Sequence, residues 1–488
     1  MKGELHMKSR KKQILLLILA LFVAMTAVGC QSGGEESGST QDAGFRTPVP
    51  QPAELAGSIK LSTYYTAGYD VSAFSFIGDF NQQYQGVEIA EDSKMSYDEY
   101  FATLDERVAN GTIGDVFVVD SDRLATYVEK GYVLDLTPYL DGLIEYTTGQ
   151  YTKLIPSEQF FDAAYKSSLY KGKMYMVPTE YENKAVWLNI ELLKQAGVNA
   201  NDVPPEDDWT WDDLLKYAEA LKEFGCENPI AMDYSDFSVW GAFAMSQGGE
   251  LFKDGTTEGS TLLNLTDAKV AQGLEKFVDQ YVRDGYIASK KPSEITSDEL
   301  ANYGIVILSH ADLAKWEERL AQNDFEWDFA HFPRFSNGEE AFSLNIGVKT
   351  LGLAVRVREF NAEEEEDVAA AKMYNDVCAQ LALYAMVPEA AEHFAGVYGV
   401  RVPALKAVNS ARFWRDYPIS GKNTSVFSLF NEYDYAANLT VHMSLDAAKE
   451  INQAMGSAIE ACAKAGHGVH IDSYLQSIQD AANANWNN

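Results

Sequence analysis

A proline between two short apolar runs constrains the fold of this chain more than any other sequence feature. Met174–Val177 is apolar and partly β-favouring, and it follows a polar turn at residues 171–173. Pro178 interrupts the run, because proline has no N–H to donate and does not continue a central β-ladder. A second apolar run, Ala185–Ile190, leads into a helical pattern that ends at Gly197. A strand, a proline break and a second strand can carry a chain from one β-sheet into another.

Upstream of this stretch, strand and helix patterns alternate. Strand-like runs at Ser58–Tyr65, Val87–Ala90 and Asp115–Val119 are separated by helical patterns at Phe74–Tyr84 and Tyr97–Ala109. The third run is continuously apolar, which is typical of a strand buried on both faces. The order β-α-β-α-β with short links predicts a parallel, doubly wound sheet.

The remainder of the 488-residue chain is long enough for a second domain. Thr210 begins a helical pattern and Asp213 follows three residues later, close to a capping box. Gly304–Leu308 reads as a buried strand, Ser343–Gly347 as a return to the first domain, and Gly399–Pro403 as a third crossing. The sequence therefore predicts two α/β lobes built from discontinuous segments and joined by three strands. The predicted segments are 58–180 with 344–400 for lobe one, and 181–343 with 401–488 for lobe two.

The N-terminus has the pattern of an export signal. A basic segment, Lys8–Lys12, precedes an apolar segment, Ile14–Val28, that is too short for a comfortable membrane span. The sequence Ala27-Val28-Gly29-Cys30 resembles a lipobox, which predicts a signal peptide at residues 1–29 and a lipid on Cys30; a plain secretory signal with a coincidental cysteine is the alternative. Residues 30–57 are rich in Gly, Ser, Glu, Gln and Pro and are predicted to form a flexible tether.

Charge and motif content exclude several function classes. The formal net charge of −33 argues against nucleic-acid binding, which requires a basic face. The sequence has no Gly-x-Ser-x-Gly elbow, no His-Glu-x-x-His and no glycine-rich phosphate loop, so we predict no enzyme activity, no catalytic residues, no metal and no cofactor. Without Cys30, the three scattered cysteines are not a disulfide framework, and Cys378 and Cys462 lie in helical patterns that favour buried thiols.

The stretch after residue 170 resembles a known family. Gly172-Lys173-x-Tyr175-x-x-Pro178 and the following Trp187–Leu193 segment resemble the lobe crossover of bacterial extracellular solute-binding proteins of the maltose-binding class. The motif Trp209-Thr210-Trp211-Asp212-Asp213-Leu214 occurs in the same family. This resemblance implies a type II periplasmic-binding-protein-like fold with a ligand cleft between the lobes, and an ABC permease as partner.

Several acidic residues are candidates for holding the hydroxyls of a sugar. Asp120, Asp122 and Arg123 follow the buried strand at its carboxyl end, which is where α/β sheets place ligands. The resemblance implies that Asp122 and Arg123 bind sugar hydroxyls, and the alternative is a helix cap with a surface ion pair. It also implies an acidic ligand residue at the crossover, where Glu180, Tyr181 and Glu182 stand close together.

Aromatic rings are the second group of candidates, because sugars present flat apolar faces. Tyr64 and Tyr65 end the first strand, in a loop that contributes a ligand contact in the family. Phe237 and Trp240 match the stacking aromatic of lobe two, with core packing as the alternative, and Trp316 and Arg401 are further candidates. The segment 309–312 reads Ser-His-Ala-Asp where the maltose binder has a stacking Trp, which puts maltose-type specificity in doubt.

The sequence thus predicts a lipid-anchored, extracellular solute-binding protein that captures a mono- or oligosaccharide for ABC import. We expect a monomer whose cleft closes on the ligand, and whose only membrane contact is the lipid on Cys30. A surface-anchored glycoside hydrolase is one alternative. The same fold with a non-sugar solute, such as a peptide or polyamine, is another.

Overall fold

The structure is a computed structural model, and it describes most of residues 55–486. Within that span the residues outside the described part are 65–75, 93–94, 141–142, 148–149, 200–201, 204, 206–208, 255–260, 310–311, 337–343, 347–348, 359, 361–364, 392–401, 409–420, 428–433 and 437–438. Among the helices that are described, none combines the length and the apolar content needed to cross a membrane. The predicted signal peptide, Cys30 and the tether up to residue 54 lie outside the described residues.

Two larger sheets and several two-stranded ribbons contain the strands. In chain order the strands are β1 Gly57–Ser62, β2 Val87–Glu91, β3 Val116–Asp120, β4 Ile144–Thr147, β5 Gln150–Lys153, β6 Leu169–Tyr170, β7 Lys173–Met174, β8 Val177–Tyr181, β9 Lys184–Asn189, β10 Ile230–Met232, β11 Phe252–Asp254, β12 Thr261–Leu263, β13 Ile287–Ser289, β14 Ile305–Ser309, β15 Trp327–His331, β16 Leu344–Ile346, β17 Thr350–Val355, β18 Val402–Pro403 and β19 Asp434–Ala436.

Helices cover both sheets. They are α1 Phe76–Gln83, α2 Tyr97–Ala109, α3 Ser121–Glu129, α4 Thr137–Leu140, α5 Pro156–Gln159, α6 Asp162–Ser167, α7 Ile190–Gln195, α8 Trp211–Phe224, α9 Phe237–Met245, α10 Ala268–Phe277, α11 Leu313–Leu320, α12 Glu365–Tyr384, α13 Pro388–Ala391, α14 Leu445–Ala465 and α15 Asp472–Ala484. The predicted helix at Tyr97–Ala109 is confirmed, and a full capping box between Ser96 and Glu99 explains where it begins. Thr210 and Asp213 form the predicted capping box at the start of α8.

The first sheet has six strands in the order β18-β8-β17-β3-β1-β2. β1 pairs in parallel with β2 and β3, as the alternating strand and helix patterns predict. β3 is buried along its whole length, which agrees with its continuously apolar sequence. β17, from far along the chain, lies antiparallel between β3 and β8 and so joins the two halves of the sheet.

The second sheet has five strands in the order β13-β10-β14-β9-β15. β10 is parallel to β13 and β14, while β9 is antiparallel to β14 and β15. β8 ends at Tyr181 in the first sheet and β9 begins at Lys184 in the second, so two residues carry the chain across. The predicted passage from one sheet to another is therefore confirmed, but the predicted break at Pro178 is wrong. Pro178 lies within β8 opposite Gly352, at a register shift in the pairing with β17, and the chain leaves the sheet only after Tyr181.

Two hydrophobic cores pack the sheets. The first core includes β3, β17 and the buried half of α12, and it extends onto one face of β9 and β14 in the second sheet. The second core includes β10, the other face of β14, α8 and α14. Two α/β lobes with a crossing at residues 182–183 confirm the predicted fold class. Cys378 and Cys462 are free and buried inside α12 and α14, and Cys226 is free and partly exposed.

The lobe boundaries remain a proposal, which we amend in one place. Val402 and Pro403 pair with β8 in the first sheet. Phe427 packs edge-on against Phe329 of β15, with ring centroids 5.6 Å apart, and the backbone N–H of Asn423 donates to Oδ1 of Asp328 at 2.7 Å. We therefore propose that the last segment of lobe two begins after residue 408 rather than at residue 401.

Candidate functional site

A cleft of about 1050 Å³ lies where the two lobes meet. On the side of lobe one it is lined by Asp122, in the first turn of α3, and by Lys349, directly before β17. On the side of lobe two it is lined by the segments that follow β10, β13 and β14 and by one face of α14. These segments leave the carboxyl ends of parallel strands, which is where the loops of an α/β sheet converge on ligands.

Glu182 and Lys349 form the corner of the cleft next to the crossing. The backbone N–H of Glu182 donates to the carbonyl oxygen of Lys349 at 2.7 Å. Tyr97 connects their side chains: its hydroxyl lies 3.1 Å from Nζ of Lys349 and 3.3 Å from Oε1 of Glu182. Lys349 Nζ also lies 3.4 Å from Oδ2 of the buried Asp120. Burial disfavours the lysine charge, but the charges of Asp120 and Glu182 outweigh it and hold the pKa of Lys349 well above its ordinary value.

Asp122 faces the same corner and connects the lobes. Its Oδ1 accepts a hydrogen bond from the hydroxyl of Thr440 at 3.0 Å, and Thr440 stands in a short helical turn beside the second core. Burial, followed by the charge of Asp120, raises the pKa of Asp122 to about 6, although Lys349 and the Thr440 hydrogen bond oppose the shift. This carboxyl therefore titrates close to neutral pH.

A second ion pair lies on the lobe-two side. Lys184, the first residue of β9, lies with Nζ 2.6 Å from Oδ2 of Asp236. Asp236 caps α9, because its Oδ1 accepts from the backbone N–H of Ser238 at 2.8 Å. Burial works to raise the pKa of Asp236, but Lys184 and the hydrogen bonds from Ser238 outweigh it, and the pKa lies below its ordinary value. Asp236 thus remains charged, and it fixes the loop that enters α9.

Asp312 adds another carboxyl to the cleft. It accepts a hydrogen bond from the backbone N–H of Ser309 at 3.2 Å. Burial raises its pKa, and the charge of Glu182 adds to the shift. Asp122, Glu182 and Asp312 thus come from three separate segments and face one cavity, with Lys349 and Lys184 as the ammonium groups beside them.

Three of the candidates from sequence line the cleft: Asp122, Glu182 and Phe237. Arg123 turns instead toward lobe one, where it pairs with Asp120, the N-cap of α3, and with Asp105 at 3.2 Å. This is the cap and ion-pair arrangement that the sequence left open as an alternative.

The other described candidates lie in the two cores. The hydroxyl of Tyr64 donates to Glu180, and both side chains are buried, as is Tyr181, whose ring packs edge-on against Phe161. Trp240 and Trp316 are each 0% exposed.

Trp240 packs edge-on against Phe237, with ring centroids 4.9 Å apart, and donates from Nε1 to Asn452 at 3.0 Å. Asn452 lines the cleft, so Trp240 supports the wall from behind. Tyr65 and Arg401 lie outside the described residues.

Sequence reasoning missed Lys349, Thr440 and the cleft-facing side of α14. Thr440 is 318 positions from Asp122 along the chain, so no local pattern signals their contact. The aromatic side chains that line the described part of the cleft, Tyr234, Phe237 and Phe332, are each less than a tenth exposed. In this part of the cleft, the side chains available for contact with a ligand are therefore mainly polar and charged.

Comparison with known proteins agrees with this fold. Residues 75–420 match the family model described as bacterial extracellular solute-binding protein. A Brucella abortus protein named only as a binding protein is 25% identical over 190 residues, which is 37% of this chain and 41% of that protein. The chain thus spans less than half the length of such curated relatives.

Solved structures with the same fold include transport proteins that bind carbohydrates. The cyclic alpha-maltosyl-1,6-maltose binding protein from Arthrobacter globiformis has a TM-score of 0.64 at 16% identity, with 88% of this chain and 98% of that chain covered. An ABC substrate-binding protein from Listeria monocytogenes in complex with cycloalternan has a TM-score of 0.56 at 17% identity, with the same coverage. At these identities the likeness establishes the fold.

Proposed function

Because this chain belongs to the bacterial extracellular solute-binding proteins, we propose that it captures a carbohydrate outside the cell and delivers it unchanged to an ABC permease. The observation that carries the proposal is the open cleft between two lobes, lined by hydroxyl, amide, carboxylate and ammonium groups from both of them. The carbohydrates named for the solved structures of the same fold support this ligand class.

In this proposal, Asp122 and Glu182 accept hydrogen bonds from sugar hydroxyls and Lys349 donates to them. Hydrogen bonds to charged groups are stronger than neutral ones, so these three side chains supply most of the orientation. Ligand that contacts both lobes stabilises a closed form, and the permease recognises that form. We further propose that the protein acts as a monomer held at the extracellular face of the cell membrane by a lipid on Cys30.

A second candidate ligand is a polyamine or another cationic solute. Asp122, Glu182 and Asp312 face the cavity, and the ammonium groups closest to them already pair with Asp120 and Asp236. A cationic amine would find a field of favourable sign there.

The proposal is tested by thermal unfolding of the protein from Gly57 onward with neutral sugars, amino sugars and polyamines. A ligand at a hundred times its Kd adds about 2.7 kcal/mol to the free energy of unfolding. We expect a raised midpoint with one sugar series and no release of reducing sugar. A rise with polyamines alone would transfer the function to the second candidate, and reducing-sugar release would make the protein an enzyme.

Glu182 gives the first mutational test. Glu182→Gln keeps the shape but removes a charge beside the ligand, and losing a charged hydrogen bond costs about 1.5–3 kcal/mol. We expect sugar affinity, measured by calorimetry, to fall roughly 10- to 100-fold. Glu158→Gln, at an exposed position on α5 that does not line the cleft, is the matched control. Equal affinity for both variants would remove Glu182 from the site.

A further inference from the structure

The floor of the cleft on the lobe-two side spans four adjacent strands. Strand pairing places Lys184 opposite Ser309 on β9 and β14, and Met232 opposite Ser289 on β10 and β13. Cleft-lining residues lie at or directly beyond this edge on all four strands. Since paired strands are about 4.8 Å apart, four strands give a floor roughly 14 Å wide.

One face of α14 forms the opposite wall. Lys449, Gln453, Ser457 and Glu460 are exposed, line the cleft and are spaced by three or four residues, so they lie along one side of the helix. At 1.5 Å per residue this row is about 16 Å long.

Gly456 fixes the wall against the floor. A Cβ at this position would lie 2.7 Å from the Cβ of Ser235, in the loop that follows β10. Only glycine lets the helix approach this closely without displacing the loop. The four strand ends and α14 all pack on the core of lobe two, so the distance between floor and wall does not depend on how the lobes are arranged.

The far end of this groove carries groups suited to hydroxyls. The side chain of Tyr234 hydrogen-bonds Ser289, and it lies near Glu460, whose Oε1 is 2.6 Å from Nζ of Lys464. Gln453 and Ser457 add an amide and a hydroxyl. Donors and acceptors of both kinds are what the edges of a sugar ring require.

We propose that Ser289, Gln453, Ser457 and Glu460 form a distal subsite that binds further units of an extended solute, which makes the ligand an oligosaccharide. The inference rests on the proposed function and adds to it the length of the ligand. A six-membered ring with its oxygens, built from bonds of about 1.5 Å, spans roughly 5 Å. The 14 Å floor therefore accommodates about three units, of which the corner formed by Asp122, Glu182 and Lys349 holds the first.

The experiment uses linear oligomers of one to six units in the glucose, galactose and xylose series, with affinities measured by calorimetry. We expect affinity for one series to rise at least tenfold between one and three units and then to level off. Ser457→Trp would fill the distal subsite, so it should abolish this rise and leave the affinity for the single sugar unchanged. Ser477→Trp, at an exposed serine of α15 away from the cleft, is the matched control.

The outcomes separate this inference from the proposed function. A single sugar that binds as tightly as its trimer refutes the distal subsite and leaves carbohydrate capture standing. The same holds if Ser457→Trp lowers affinity equally for all lengths, or leaves the rise intact. If no sugar of any length binds, carbohydrate capture fails, and the distal subsite fails with it. Thermal midpoints of both tryptophan variants exclude misfolding as the cause.

Discussion

The surroundings of Asp122 disfavour its ionised form, and replacing this residue should stabilise the ligand-free protein. Burial and Asp120 raise its pKa from 3.8 in a model peptide to about 6. Between pH 3.8 and about pH 6, Asp122 is therefore protonated in the folded state and ionised in the unfolded state. Stability due to this group falls as pH rises from about 4 to about 6, and above pH 6 the full cost of the charge applies.

The magnitude follows from the shift. Each pKa unit corresponds to 1.36 kcal/mol, so a shift of about two units sets an upper limit of roughly 3 kcal/mol. Asp122 keeps partial contact with solvent, which screens its charge, and we expect about 1–2 kcal/mol. Asn has the same shape and retains an oxygen that can accept the Thr440 hydroxyl. Asp122→Asn should therefore raise the free energy of unfolding by this amount at pH 8, and by little at pH 4.

Urea unfolding at pH 8 and pH 4 measures this difference, and Asp254→Asn, at an exposed carboxylate on β11, is the control that should change neither value. At pH 8 the sugar affinity of Asp122→Asn should fall while its stability rises, because the same carboxylate charge destabilises the folded protein and binds the sugar. A variant that is less stable than the parent at pH 8, or equally stabilised at both pH values, would refute the reasoning.

Two further substitutions test the cores. Asp115 is buried directly before β3 and accepts hydrogen bonds from Arg356 at 2.9 Å and from Arg358. Because Asp115→Asn leaves the two arginines without their counter-charge, we expect urea unfolding to show a loss of about 3 kcal/mol. An unchanged midpoint would show that solvent replaces the aspartate. Trp240→Ala should cost about 3–5 kcal/mol of stability, because Trp240 is fully buried and donates a hydrogen bond to Asn452. If the variant were as stable as the parent but bound sugar more weakly, Trp240 would contact the ligand instead.

Local sequence determines much of the fold. The capping box formed by Ser96 and Glu99, a motif of four residues, determines where α2 begins. The apolar run of β3 specifies a strand buried on both faces. The crossing after Pro178 is likewise a local feature, because only residues 182 and 183 separate β8 from β9. These features were predictable because their physical causes lie within a few residues.

The cleft depends on contacts that local sequence does not encode. Lys349 and Thr440 reach Asp122 from segments hundreds of residues away, and only the pairing of β17 and the packing of lobe two bring them there. Aromatic residues mislead for a different reason. Trp240 has a large apolar surface that either a sugar or a core can cover, and residue type alone does not distinguish the two.

The central position of β17 has a consequence for the order in which this protein can be assembled. β3 and β8 do not pair with each other, and the strand that joins them ends at Val355. A nascent polypeptide that has not yet reached this residue exposes two open strand edges of the kind that promote aggregation. Completion of the first sheet is therefore postponed until most of the chain has been synthesised, and its folding is expected to be slow because the strands that must meet are far apart in sequence.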